Sequence, residues 1–176
     1  IFAELSNEQK IIVRLAAFLH DIGKGRTQDH HIVGEKLLKS MLKSFYFNDE
    51  TIRIAAELVR YHNMMSYVAN HEDIYSEKAI LNFTGLIETK ESLDMLYIIT
   101  YCDISAVGEN IFNSSTASLL KQLYTQSIPA FENQELLTES KRRIAKQNAI
   151  KNLERYKELP LSIKKKIMSI ASNQIF

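Results

Sequence analysis

Apolar residues recur at spacings of three and four along almost the whole chain, and this helical periodicity most restricts the possible folds. No alternation of apolar and polar residues persists long enough to predict a strand. The 176 residues include five glycines and two prolines, which leaves little turn chemistry. The sequence therefore predicts an all-α fold.

The first predicted helix begins with a capping box, in which Ser6 and Gln9 stand three residues apart. Apolar residues at helical spacing form its expected buried stripe: Ile11, Leu15, Phe18, Leu19 and Ile22. The glycines at positions 23 and 25 are expected to end it. Further helices are predicted over residues 31–45, 48–64 (capped by Asn48 or Asp49), 76–86, 90–106 and 114–125.

A connector is predicted after these helices, where Pro129 opens the polar segment PAFENQE. Two more helices are expected over residues 134–157 and 161–173. The predicted organisation is a compact helical core of residues 1–128 followed by a helical appendage of residues 129–176. The first residue is Ile1 rather than Met, which predicts a segment of a longer chain.

Composition restricts the partners and the compartment. A net charge of +1 provides no field that would recruit nucleic acid or an acidic membrane, so neither is an expected partner. No uncharged run approaches the ~20 residues that a membrane span requires, and no signal peptide is recognisable. The single cysteine, Cys102, excludes a disulfide framework and is predicted to be a small buried hydrophobe. These features together predict a cytoplasmic protein.

Three polar residues occupy positions where hydrophobic residues are expected. His20 continues a line with Val13, Ala16 and Ala17, and Asp21 follows it at the helix end, where both side chains can reach one ion. His62 shares its helix face with Ile52, Ala55 and Val59, and Asp103 shares its face with Leu93, Leu96 and Thr100. A lone inward histidine is usually a hydrogen-bonded core residue, and a lone buried aspartate is often a tether between a helix and a loop.

Together, these two imidazoles and two carboxylates predict a metal site, because an unpaired buried carboxylate costs several kcal/mol. Imidazole and carboxylate ligands suit Mn, Fe, Zn or Mg rather than a structural zinc site of thiolates. His30 or His31 offers a further ligand near the start of the second helix, whereas His71 is expected to be solvated in a polar loop.

Several segments together resemble the HD superfamily of metal-dependent phosphohydrolases: LHDIGKGRTQDHHIVG, ELVRYHNMMS, EDI, LYIITYCDISAVGENIFNSS and SLLKQLY. Their order is most similar to the uridylyl-removing HD region of the bifunctional PII uridylyltransferase/uridylyl-removing enzymes. The resemblance implies hydrolysis of the phosphodiester that links uridylate to a tyrosine of a PII-type protein. It also implies further parts of a larger parent chain, with a transferase domain upstream and ACT domains downstream.

Ligand roles follow from the same resemblance. His20, Asp21 and Asp103 match the core metal ligands, and His30 and His62 match the histidines that hold a second ion, which leaves His31 as a neighbour. The expected metal is Mn or Mg, with Fe or Zn as alternatives.

The chemistry of the residues agrees with these roles, because a divalent ion generates a hydroxide nucleophile and neutralises phosphate charge. Asp21 is placed to bridge two ions, and Lys24, one turn beyond His20, is placed to bind a phosphate oxygen. The alternative for Lys24 is a surface lysine stabilised by the helix dipole. Arg26 is a weaker phosphate candidate, and Asn113 is predicted either to line the pocket or to cap a helix.

Two departures from the family pattern bear on the function. The first histidine of the superfamily has no counterpart in residues 1–19, so it is expected upstream, and this segment alone is expected to bind metal weakly. Ser115 and Thr116 stand where the family tends to carry Trp and Lys, which affects substrate details. Two alternatives remain, namely an HD hydrolase of a free nucleotide or cyclic dinucleotide, and a non-catalytic sensing module.

Overall fold

The computed structural model describes residues 1–26, 29–108 and 112–173, and this part of the chain is helical without any strand. The all-α prediction is therefore confirmed. After a short 3₁₀ helix at Phe2–Glu4, the α-helices run in this order: α1 Asn7–Leu19, α2 His30–Ser44, α3 Asp49–Tyr61, α4 Met64–His71, α5 Glu77–Thr84, α6 Lys90–Val107, α7 Ser114–Glu132, α8 Gln134–Asn152, α9 Glu154–Glu158 and α10 Leu161–Asn173.

Local capping residues start several of these helices where the sequence predicts them. Ser6 and Gln9 form the predicted capping box of α1, with both reciprocal hydrogen bonds present. The side chain of Asn48 accepts from the Thr51 amide at the start of α3, so Asn48 rather than Asp49 is the cap. Asn113 caps α7 in the same way, which confirms its helix-cap interpretation.

The prediction of one helix over residues 48–64 is wrong, because α3 ends at Tyr61 and α4 begins at Met64. His62 is the C-cap residue of α3, and Asn63 lies between the two helices. Met65 and Val68 of α4 are buried in the same core as α3. The apolar pattern therefore continues across the break, and periodicity alone does not reveal it.

The predicted connector at Pro129 is also wrong, because α7 continues through Pro129 to Glu132. A proline inside a helix costs about 3 kcal/mol. Ala130 is buried just after it, and Phe131 packs partly against the core, so burial offsets this cost. The division into residues 1–128 and 129–176 stays a prediction, although α8 contacts α5 and α7 directly.

The buried face of α1 differs from the predicted stripe. Phe18 is 86% exposed and Ile11 is 47% exposed, so their predicted burial is wrong, whereas Leu15 and Ile22 are partly buried against the core. The buried residues are Ile12, Val13, Ala16 and Leu19, on the side of α1 that packs against α3 and α6. Because α1 is apolar around much of its circumference, helical periodicity permits either face to be the buried one.

The predicted burial of Cys102 is wrong, because Cys102 lies exposed on the last turns of α6. Upstream on the same helix, Leu93, Leu96 and Ile99 are buried, so α6 leaves the core as it approaches its C-terminus. Among the described residues, no helix is both long enough and apolar enough to cross a membrane.

Candidate metal centre

Two histidines occupy equivalent positions at the ends of two helices. His20 is the C-cap residue of α1 and His62 is the C-cap residue of α3, and their backbone angles agree within one degree. In each, Nδ1 lies 2.7 Å from the backbone carbonyl three residues earlier, that of Ala17 or Val59. Because a carbonyl only accepts, Nδ1 must carry a proton in each ring, so the neutral form of either ring presents Nε2 as an electron-pair donor.

Two carboxylates face these free nitrogens. Asp21 lies with Oδ2 3.2 Å from Nε2 of His20 and Oδ1 3.8 Å from Nε2 of His62. Asp103, one turn beyond the buried part of α6, lies with Oδ1 3.3 Å from Nε2 of His20. Asp21 therefore faces both imidazoles, and Asp103 approaches the first of them from another helix.

The first turn of α2 adds two further imidazoles. The ring centroids of His30 and His31 are 3.7 Å apart, and they lie 6.2 Å and 4.9 Å from the centroid of His62, respectively. Close packing holds this turn in place, since a Cβ on Gly23 would overlap the backbone carbonyl of His30. A Cβ on Gly34 would lie 3.2 Å from Val59 of α3, which shows how closely α2 approaches α3.

Three polar atoms of this group are buried without a hydrogen-bond partner: Oδ1 of Asp21, Nε2 of His30 and Nδ1 of His31. Buried polar atoms almost always have a hydrogen-bond partner, so three such atoms without a partner in one place need an explanation. We refer to the whole group as the histidine–aspartate cluster, with these members: His20, Asp21, His30, His31, His62 and Asp103.

The cluster has the composition and spacing of a metal centre. His20, Asp21 and His62 offer ligand atoms that all lie within 4.8 Å of one another, and so do His30, His31 and His62. His62 belongs to both groups. Imidazole nitrogens and carboxylate oxygens suit Mn, Fe, Zn or Mg. The C-terminal ends of α1 and α3 lie at the cluster and carry partial negative charge, which favours a cation there, whereas the N-terminus of α2 at His30 carries partial positive charge.

The protonation states of His31, His62 and Asp21 agree with a role as metal ligands. Burial lowers the pKa of His62 and of His31, so both rings stay neutral at neutral pH. Burial pushes the pKa of the Asp21 carboxyl upward, but the hydrogen bond and the charge of Lys24 outweigh it, so the pKa lies below its ordinary value. Asp21 is therefore an anion and both histidines are electron-pair donors, as metal ligands must be.

Lys24 lies at the solvent side of the cluster. Its Nζ donates to Oδ2 of Asp21 at 2.6 Å, and its side chain is 63% exposed. The hydrogen bond to Asp21 raises the pKa of Lys24, which keeps it charged. Its position is compatible with the predicted contact to phosphate, which stays a prediction.

All of the predicted metal ligands lie in the cluster, and the structure brings in His31 as well. The buried face of α2 is formed by Gly34, Leu38 and Leu42. At about 100° per residue, His31 lies about 20° from the centre of this face and His30 about 80° away. This angle is the signal by which the sequence could have included His31. The assignment of His30 as the ligand and His31 as a neighbour stays a prediction.

The fifth histidine lies outside the cluster. His71 is exposed at the end of α4 and stacks on Tyr67, with ring centroids 4.7 Å apart. Its predicted exposure is confirmed, but it lies in the last turn of a helix rather than in a loop.

Comparison with known proteins identifies relatives of the same region. The HD domain family matches residues 1–103. A bifunctional uridylyltransferase/uridylyl-removing enzyme of Cereibacter sphaeroides is 36% identical over 121 residues, which are 69% of this chain and 13% of that protein. An enzyme of the same description from Rhodospirillum rubrum is 42% identical over 113 residues, which are 64% of this chain and 12% of that protein. Another from Rhodopseudomonas palustris is 33% identical over 129 residues, which are 73% of this chain and 14% of that protein. The chain thus spans about an eighth of the length of these relatives. No solved structure matches it.

Proposed function

The chain belongs to the HD domain family, and from this premise we propose that its histidine–aspartate cluster binds a divalent metal and hydrolyses a phosphodiester. The observation that carries the proposal is the set of orphaned donor atoms. Oδ1 of Asp21, Nε2 of His30 and Nδ1 of His31 are buried, unpaired and gathered around His62. A cation is the partner that would satisfy all of them at once.

The donor set fits one ion or two. His20, Asp21 and Asp103 would hold one ion, and His30 and His62 would hold a second, with Asp21 shared because its two oxygens face His20 and His62. When bound, divalent ions supply a water nucleophile at neutral pH and neutralise charge on the phosphate. We propose Mn or Mg for this role, with Fe or Zn as alternatives.

The remaining residues orient the substrate and the ligands. The Ala17 and Val59 carbonyls hold the rings of His20 and His62 with Nε2 directed at the centre of the cluster. Lys24 keeps its positive charge beside Asp21 and can exchange this ion pair for a phosphate oxygen when substrate arrives.

For the substrate, we propose uridylate attached to a tyrosine of a PII-type protein. The relatives that match this chain are described as bifunctional uridylyltransferase/uridylyl-removing enzymes, and the match to the HD domain family covers all members of the cluster. Because the chain spans about an eighth of their length, this activity is proposed for the whole protein that contains it.

The test measures uridylate release from uridylylated PII-type protein in the presence of Mn²⁺, using the full-length protein. Asp103→Asn is expected to reduce release at least 100-fold, because it replaces a charged ligand with a neutral amide of the same shape. Asp49→Asn, at an exposed position in the first turn of α3, is the matched control and is expected to leave the rate unchanged.

Each other outcome contradicts a particular part of the proposal. Equal rates for Asp103→Asn and the wild type would place Asp103 outside the metal site. Metal binding without release would exclude the PII substrate, and free nucleotides and cyclic dinucleotides would be tested next. If neither binding nor release occurs, the domain is a sensing module.

A further inference from the structure

A buried hydroxyl joins the end of α3 to the middle of α6. Oγ1 of Thr100 donates to the backbone carbonyl of His62 at 3.0 Å, and both residues are 1% exposed. The carbonyl lies at a helix C-terminus, where the last four carbonyls have no partner within their own helix. The hydroxyl therefore supplies a donor that the fold of α3 by itself does not provide.

The same helix contacts both C-cap histidines. Thr100 and Asp103 are three residues apart, so they lie on one face of α6 about one turn from each other. Thr100 contacts the backbone of His62, and Asp103 contacts Nε2 of His20. Through these two contacts, α6 touches the C-terminal ends of both α1 and α3, which also pack directly against each other.

We infer that Thr100 is a positioning residue for the metal centre: its hydroxyl holds the backbone of His62 against α6 and thereby sets the distance from the His62 imidazole to Asp103 and Asp21. This inference rests on the proposed function. The Val59 carbonyl orients the ring of His62, and Thr100 fixes the backbone that carries the ring. Thr100 itself contacts no substrate and is not a ligand.

Three variants of the full-length protein separate this role from a general contribution to folding. Thr100→Val keeps the shape of the side chain but removes the donor, and Thr100→Ser keeps the donor. The matched control is Thr84→Val, because Thr84 is fully buried and its hydroxyl also donates to a backbone carbonyl, that of Ile80 at 2.9 Å in α5. The control also removes a buried hydrogen bond from a threonine hydroxyl to a backbone carbonyl, but one within a single helix and outside the cluster.

The first measurement is the affinity for Mn²⁺, obtained from the free-ion signal in electron paramagnetic resonance. Groups that orient metal ligands typically change affinity 10- to 100-fold. Thr100→Val is expected to weaken Mn²⁺ binding about tenfold. Thr100→Ser and Thr84→Val are expected to bind Mn²⁺ as the wild type does. Equal affinity of Thr100→Val and the wild type, or an equal loss in Thr84→Val, would overturn the inference.

The second measurement needs no metal and keeps the two proposals distinguishable. In the metal-free chain, the ¹³C resonance of the His62 carbonyl and the ring ¹⁵N resonances of His62 report its hydrogen bonds. Thr100→Val is expected to shift both sets, whereas Thr100→Ser and Thr84→Val leave them in place. If the wild type binds no Mn²⁺, the proposed metal site fails. The ring resonances then decide the inference, which is overturned if they do not move in Thr100→Val.

Discussion

A half-buried carboxylate in α3 makes a specific pH dependence of stability predictable. Glu57 accepts a hydrogen bond from the Glu88 amide at 2.7 Å through Oε1 and one from the Ser92 hydroxyl at 3.0 Å through Oε2. Burial raises the pKa of Glu57 from its ordinary 4.5 to about 6, even though the hydrogen bond from Ser92 and the charge of Arg53 oppose the shift. Keeping this carboxylate ionised in the native state costs about 2 kcal/mol at neutral pH.

The sign of the effect follows from linkage. Below about pH 4.5, Glu57 is protonated in both the native and the unfolded chain and costs nothing. As the pH rises through 6, the unfolded chain loses this proton more readily than the native chain, so the free energy of unfolding falls by about 2 kcal/mol. Glu57→Gln removes the charge and keeps both hydrogen bonds, because its amide accepts from the Glu88 amide and donates to Ser92.

The assay is urea unfolding followed by far-ultraviolet circular dichroism between pH 4 and pH 8, with a chelator present. Glu57→Gln is expected to match the wild type near pH 4 and to exceed it by about 2 kcal/mol above pH 7. Glu50→Gln, an exposed glutamate on the same helix, controls for the loss of one negative charge. A difference between Glu57→Gln and the wild type that stays constant with pH, or that grows toward low pH, would refute the reasoning.

Two further predictions concern the docking of α8 and the ligand set. Gly85→Ala suits the backbone at φ −65°, but its Cβ would lie 2.6 Å from Ile144 and 2.8 Å from Ser140 of α8. The substitution is therefore expected to cost about 1–3 kcal/mol and to speed amide exchange in α8 but not in α3, and unchanged exchange in α8 would contradict the docking. His30→Ala and His31→Ala are both expected to weaken Mn²⁺ binding, with the greater loss of affinity in His30→Ala. Isothermal titration calorimetry compares the Mn²⁺ affinities of the two variants. A greater loss of affinity in His31→Ala would reverse the ligand assignment.

The predictions that succeeded rest on local interactions. The capping box at Ser6 and the Asn48 cap depend on contacts within one turn, which a short stretch of sequence contains completely. The inward positions of His62 and Thr100 follow from helical spacing around residues that are unmistakably core. Local chemistry and periodicity therefore predicted several helix starts and the inward position of His62, but neither the break after Tyr61 nor the break after Asn152, which divides the helix predicted over residues 134–157.

The predictions that failed depend on which elements meet. Phe18 and Ala16 are both apolar residues of α1, but only the side of the helix that carries Ala16 packs against α3 and α6. Pro129 would normally end a helix, but α7 continues through it to Glu132, with Ala130 buried and Phe131 packed partly against the core. Cys102 follows a buried stretch of α6, but the core ends before it. None of these outcomes is determined by the neighbouring residues in sequence.

The break between α3 and α4 is both the clearest failure of periodicity and a feature of the candidate metal centre. If α3 continued through Ser66, the carbonyl of His62 would accept from the amide of Ser66 in the usual helical pattern. The Thr100 hydroxyl would then share its acceptor with that amide, and His62 would lie inside a helix rather than at its C-terminal end, where the partial negative charge favours a cation. Local rules are expected to fail at functional sites, and here the failure exposes the carbonyl that couples His62 to the helix of Asp103.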